Sequence, residues 1–280
     1  MFTTFITADE LTKHLNQPDW VLVDCRTDLM KPEWGREDYR RAHVPGAVYA
    51  DLNRDLSGST GPQTGRHPLP EPGAFRSAMG KLGIDASKQV VVIDTAAGAF
   101  AARLWWMLRL YGHAAVAVLA GGFPLWEREG RPTRSGEETN PITQFNGEPQ
   151  TGWFLTAEEV NRVRDDSSWL VVDARTPERY RGEQEPIDLV AGRIPGAVNR
   201  AHTLNLQAGG LPLPPETLRE QFTALLGSTP PERTVFYCGS GVTSAFHLLA
   251  MAYAGMPDAR LYPGSWSEWI RDPNRPIGKG

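Results

Sequence analysis

Trp20-Val-Leu-Val-Asp24-Cys25-Arg26 and Trp169-Leu-Val-Val-Asp173-Ala174-Arg175 are two copies of one pattern in a single chain. Upstream, Thr7-Ala8-Asp9-Glu10-Leu11 is matched by Thr156-Ala157-Glu158-Glu159-Val160. Downstream, His43-Val44-Pro45-Gly46-Ala47-Val48 returns as Arg193-Ile194-Pro195-Gly196-Ala197-Val198. Further on, Val90–Asp94 lines up with Thr234–Cys238, and Trp126 after Gly121-Gly122 with Trp269 after Gly264-Ser265. A period of about 150 residues is too long for a solenoid and fits tandem duplication of a whole domain. The stretch Arg131–Thr151 is rich in Gly, Pro, Thr, Asn and Glu without apolar periodicity, so it reads as a linker between a domain over 1–130 and a domain over 152–280.

Within each copy, short β-branched runs alternate with helical patterns such as Ala99–Tyr111 and Ser244–Ala254. That alternation predicts an α/β fold, each copy a mostly parallel sheet flanked by helices on both faces. Ligands in such folds bind beyond the carboxyl ends of the strands, so motifs at strand ends carry the most information.

Composition narrows the function classes. The 280 residues carry a net charge of −4, which offers no single-sign field for nucleic acid or an anionic membrane. No window reaches the ~18 uninterrupted apolar residues of a membrane span, and the amino-terminal sequence lacks the basic and apolar regions of a signal peptide. Two cysteines, Cys25 and Cys238, are too few for a disulfide scaffold, so a reducing, cytoplasmic setting with a free thiol is expected. Neither belongs to a Cys-x2-Cys pair and the six histidines show no ligand spacing, so no metal or organic cofactor is implied.

The most informative strand end is Thr234-Val-Phe-Tyr-Cys238-Gly239-Ser240-Gly241-Val242-Thr243-Ser244, followed by an apolar helical run. Its glycines let consecutive N–H groups turn inward at a helix N-terminus, a nest that stabilises an anion, and a thiolate is an anion. Lowering a thiol of pKa ~8.5 by ~2 units raises the thiolate by at most about thirtyfold at neutral pH. The larger benefit comes from donors aimed at charge that develops during transfer, each worth ~10²–10³ in rate. The equivalent position in the first copy is Asp94, so that copy has no nucleophile there. Cys25 lies inside a strand and is matched by Ala174, which marks it as a packing residue. A phosphatase loop needs an arginine six positions after its cysteine; Ser244 stands there, and a dianionic phosphate would lack its fork. His247, early in the following helix, reads as a packing histidine rather than the partner of a Cys–His protease.

The Val-Asp-x-Arg and Ile/Val-Pro-Gly-Ala-Val repeats, with the loop Cys238-Gly239-Ser240-Gly241-Val242-Thr243, resemble the two-domain rhodanese family of sulfurtransferases over nearly the whole chain. The resemblance implies two rhodanese-like folds, the first catalytically silent, with Cys238 carrying sulfur as a persulfide. Thiosulfate-using members typically carry Cys-Arg-Lys-Gly-Val-Thr and mercaptopyruvate-using members Cys-Gly-Ser-Gly-Val-Thr; this loop is of the second kind. The resemblance further implies that Arg179 binds the substrate anion, with Arg181 a weaker neighbour. It assigns Gly239, Gly241, Val242 and Thr243 to the substrate-binding loop. It also makes Ser240 and His67 parts of a proton relay, the histidine reaching across from the first domain. The acid of that relay does not map: Asn53 holds its place, with Asp51 and Asp55 nearby. A second substrate arginine has no counterpart in Gly182–Gly192, and Arg193, standing where a histidine is usual, receives no role.

The expected function is therefore transfer of sulfur from a small anionic donor, 3-mercaptopyruvate, through Cys238 to a thiol, thioredoxin or cyanide. The alternatives are thiosulfate:cyanide sulfurtransfer by the same cysteine, and a persulfide carrier with little turnover of its own.

Overall fold

The computed structural model describes residues 1–280. Nine strands form two separate sheets, each wholly parallel. In the first, β1 (Phe5–Ile6), β2 (Trp20–Asp24), β3 (Ala47–Tyr49), β4 (Gln89–Ile93) and β5 (Val116–Leu119) lie in the order β1-β5-β4-β2-β3. In the second, β6 (Leu170–Asp173), β7 (Val198–Asn199), β8 (Thr234–Tyr237) and β9 (Arg260–Leu261) lie in the order β7-β6-β8-β9. The central strands are continuous apolar runs because helices cover both faces, as parallel sheets require; β4, β5 and β8 are buried along their whole length.

The sequence repeat is a repeat of hydrogen-bonding devices. Thr7 accepts from the Glu10 N–H to start the helix Ala8–Thr12, and Thr156 forms a full capping box with Glu159 ahead of Ala157–Val163. In each Asp-x-Arg motif the arginine closes a buried pair with the aspartate two residues before it, Arg26 with Asp24 and Arg175 with Asp173. Register fixes the equivalence of the copies: Asp24 pairs with Ile93 in β4, and Asp173 pairs with Tyr237 in β8. The next residue is Asp94 in one sheet and Cys238 in the other. The helices expected over Ala99–Tyr111 and Ser244–Ala254 run Ala101–Leu110 and Ala245–Tyr253.

Chain order and spatial unit do not coincide everywhere. One unit comprises Met1–Gly58, Pro70–Gln150 and Leu206–Pro212; the other comprises Ser59–Leu69, Thr151–Asn205 and Leu213–Gly280. The residues after Arg131 stay with the first unit, where Thr143 donates its N–H to Gly80 and Phe145 is buried against Phe75. No helix is long and apolar enough to cross a membrane.

Candidate functional site

Cys238 follows the last residue of β8, and the loop from Gly239 to Ser244 leads into the helix Ala245–Tyr253. The turn Tyr262–Ser267 clamps the loop from behind. Cys238 N–H donates to Ser265 Oγ at 3.1 Å, while the N–H groups of Trp266 and Ser267 donate to the carbonyls of Cys238 and Gly239 at 3.0 and 2.9 Å. Gly241 has a φ of +72°, and a side chain there would strike the Pro263 carbonyl, so only glycine lets the loop curl against this turn.

The residue Cys238 is only 2% exposed, and burial by itself pushes a thiol up. The hydroxyls of Ser244 and Thr243 and the N–H groups of Ser240 and Ser244 outweigh that and bring Cys238 down to about 7. Ser244 Oγ is buried and makes no other hydrogen bond, so its dipole is left for the sulfur. Cys25 shows what burial does without such donors: it is pushed well above the usual thiol range, and the charges of Asp24 and Asp94 add to the effect.

Ser240 Oγ lies 2.8 Å from His67 Nδ1, so the hydroxyl and the imidazole expected to work together are hydrogen-bonded. His67 belongs to Ser59–Leu69, a segment of the first sequence copy that folds as part of the second unit. Arg179 lies beside the loop: its Nη2 would be 3.4 Å from a Cβ built on Gly239. Glu185 grips it through both carboxylate oxygens, at 2.7 and 3.1 Å, rather than Glu178 or Glu183. Val242 is buried and Thr243 half-buried at the mouth of the helix.

Comparison with known proteins decides the family. A model of the rhodanese-like domain matches residues 7–129 and again 156–272. The chain belongs to the rhodanese family. It is 43% identical over 98% of both chains to the "Probable 3-mercaptopyruvate sulfurtransferase" of Pseudomonas aeruginosa. A Mycobacterium tuberculosis relative named for thiosulfate sulfurtransfer is 38% identical over 98% of this chain and 96% of its own. Among solved structures, the 3-mercaptopyruvate sulfotransferase SseA of Escherichia coli aligns with a TM-score of 0.81 at 32% identity, over 95% of this chain and 99% of that one.

In this rhodanese chain the side chains of several other residues weighed from the sequence are taken up by partners of their own. Arg181 pairs with Glu183 in solvent, and Arg193 packs its guanidinium over the Tyr180 ring. His247 is buried on Arg200 O and Asn205, with Phe222 and Phe236 around its ring, and burial pushes it well below the usual histidine range. Asp51 and Asp55, in the first unit, organise their own turn: Asp51 accepts from the N–H groups of Asn53 and Arg54, and Asp55 from that of Asp51.

Three site residues escaped the sequence reading. Arg66 Nη2 would be 2.9 Å from a Cβ on Gly239, closer than Arg179 comes, so two guanidinium groups crowd the residue after Cys238. Asp188 accepts from both arginines, and Glu185 accepts from Arg175 as well as Arg179. Periodicity carries no trace of these contacts, because all three sit in irregular segments. The one local signal is Arg66 standing next to His67.

In the first copy the corresponding nest is already full. Asp94 accepts from the N–H groups of Ala96 and Gly98 through one oxygen and from Phe100 and Ala101 through the other, at 2.8–3.0 Å.

Proposed function

We propose that this protein is a sulfurtransferase that takes sulfur from 3-mercaptopyruvate onto Cys238 and passes it to a thiol, a thioredoxin or cyanide. The observation that carries the reading is a thiol held near pKa 7 inside a ring of donors, with two guanidinium groups beside it. The likeness to relatives named for 3-mercaptopyruvate, across almost the full chain, supports the donor.

In the proposed reaction the Cys238 thiolate attacks the sulfur of 3-mercaptopyruvate. A sulfur–sulfur bond forms as the carbon–sulfur bond breaks, and the electron pair leaves on carbon as the enolate of pyruvate. Protonation of that carbon gives pyruvate; the Ser240 hydroxyl, coupled to His67, is positioned to relay the proton. Arg179 orients the donor carboxylate, and the loop N–H groups from Gly239 to Thr243 hold negative charge as it moves. An acceptor thiolate then attacks the outer sulfur and returns Cys238 as thiolate. The first rhodanese domain takes no part in the chemistry. Such a cycle needs a reduced thiol between turnovers, which suits a cytoplasmic setting.

Intact mass after exposure to 3-mercaptopyruvate should show a gain of about 32 Da, one persulfide sulfur, removed again by excess thiol. The ratio of kcat/KM for 3-mercaptopyruvate to that for thiosulfate should exceed one by a wide margin. A reversed ratio would transfer the assignment to thiosulfate. Loading without repeated turnover would make the protein a sulfur carrier.

A further inference from the structure

The turn Tyr262–Ser267 grips two pieces of chain at once. On one side, Ser267 N–H donates to the Gly239 carbonyl at 2.9 Å, so it holds the peptide unit that leads into Ser240. On the other, Ser267 Oγ accepts from Arg66 N–H at 3.0 Å, so it holds the residue just before His67. The hydroxyl donates its own proton to the Gly264 carbonyl at 3.3 Å, which fixes its direction, and Ser267 is only 1% exposed. Gly65 makes the approach possible: a Cβ there would lie 2.6 Å from Gly264 O and 2.8 Å from Ser267 Oγ, so only bare backbone can pass this close.

The first copy builds the same turn without this serine. Counting back from the paired tryptophans Trp269 and Trp126, Ser267 stands where the first copy has Pro124. The bond before it is shared: Trp266 N–H donates to the Cys238 carbonyl at 3.0 Å, and Phe123 N–H donates to the Asp94 carbonyl at 2.8 Å. The next bond cannot be shared, because proline has neither an N–H nor a hydroxyl. Folding the turn therefore does not require a serine. The copy that has one is the copy in which a hydroxyl, Ser240, must meet an imidazole, His67.

We infer that Ser267 is a positioning residue for the proton relay: its N–H fixes Ser240, its hydroxyl fixes His67, and together they set the 2.8 Å between Ser240 Oγ and His67 Nδ1. The inference goes beyond the sulfurtransferase reading in assigning Ser267, and rests on it for the relay that Ser267 serves. A hydroxyl–imidazole pair passes a proton only within hydrogen-bond reach, so a segment free to drift by about 1 Å loses most of that contribution. Removing the hydroxyl alone separates the two tasks, because the N–H that holds the loop survives in Ser267→Ala.

The test is the first-turnover rate of pyruvate release from 3-mercaptopyruvate, read beside alkylation of Cys238 by iodoacetamide, which reports the thiolate and needs no relay. Ser267→Ala should slow pyruvate release about tenfold and leave the alkylation rate within about twofold of the wild-type value. Ser267→Thr, which keeps the hydroxyl, should recover most of the loss. In a Ser240→Ala background the same Ser267→Ala change should slow release by less than about twofold, because the relay it serves is already gone. Equal effects of Ser267→Ala in the two backgrounds, an unchanged release rate, or a parallel fall in alkylation would reduce Ser267 to a structural residue of the turn. Wild-type release rates in both Ser240→Ala and His67→Gln would overturn the relay reading itself, and the inference with it.

Discussion

Two cysteines in one chain differ in environment more than in exposure. Cys25 and Cys238 are each 2% exposed, yet burial sends Cys25 well above the usual thiol range while the loop donors bring Cys238 down to about 7. Exposure alone would not tell the proposed nucleophile from the proposed packing residue. Cys238→Ser should abolish sulfur transfer, and Cys25→Ser should keep most of it; the opposite pattern in a thiocyanate-formation assay would reverse the assignment. The depressed value sets the direction of the pH dependence, because the thiolate is the reactive form and it disappears as pH falls through 7. Alkylation of Cys238 by neutral iodoacetamide should rise about fivefold from pH 6 to 7 and less than about twofold from pH 7 to 8. A thiol left near ~8.5 would still climb about eightfold over that second interval, so the shape of the curve distinguishes the two.

At the scale of elements, the same strand–loop–helix device appears twice with different contents. In the second copy the loop donors face a sulfur; in the first they face the carboxylate of Asp94, which satisfies four backbone N–H groups. Burial pushes the Asp94 carboxyl above its usual range, and the four donors pull against it. The side chain therefore works as a plug that keeps the nest satisfied without a nucleophile. Asp94→Ala should strand those donors and destabilise the first unit by about 3 kcal/mol, read as a lower urea midpoint. Sulfur transfer measured well below the transition should be unchanged. A fall in transfer with no loss of stability would mean that the first copy contributes to the chemistry. The Asp94–Cys238 equivalence was legible in the sequence, since it needs only the repeat and a strand end. The plug was not, because a carboxylate accepting four N–H groups depends on the curl of the loop rather than on residue spacing.

For the molecule as a whole, the duplication and the parallel sheets were readable because they rest on local periodicity and on one long-range repeat. The migration of Ser59–Leu69 into the second unit was not readable, since nothing in that segment's composition distinguishes it from the loop of its own copy. Yet this migration brings His67 to Ser240 and Arg66 to Gly239. The site is assembled from four stretches that are distant in sequence, around residues 66–67, 179–188, 238–244 and 265–267. A ligand bound there should order all four together, because each is hydrogen-bonded or ion-paired to another. Amide hydrogen exchange with and without millimolar pyruvate, the proposed product, should slow in all four stretches, while 94–101 keeps its own rate. Protection confined to 238–244 would show that the loop binds the anion without the arginines. Matching protection at 94–101 would show that the plugged nest can still open to a ligand, against the silent role given to the first copy.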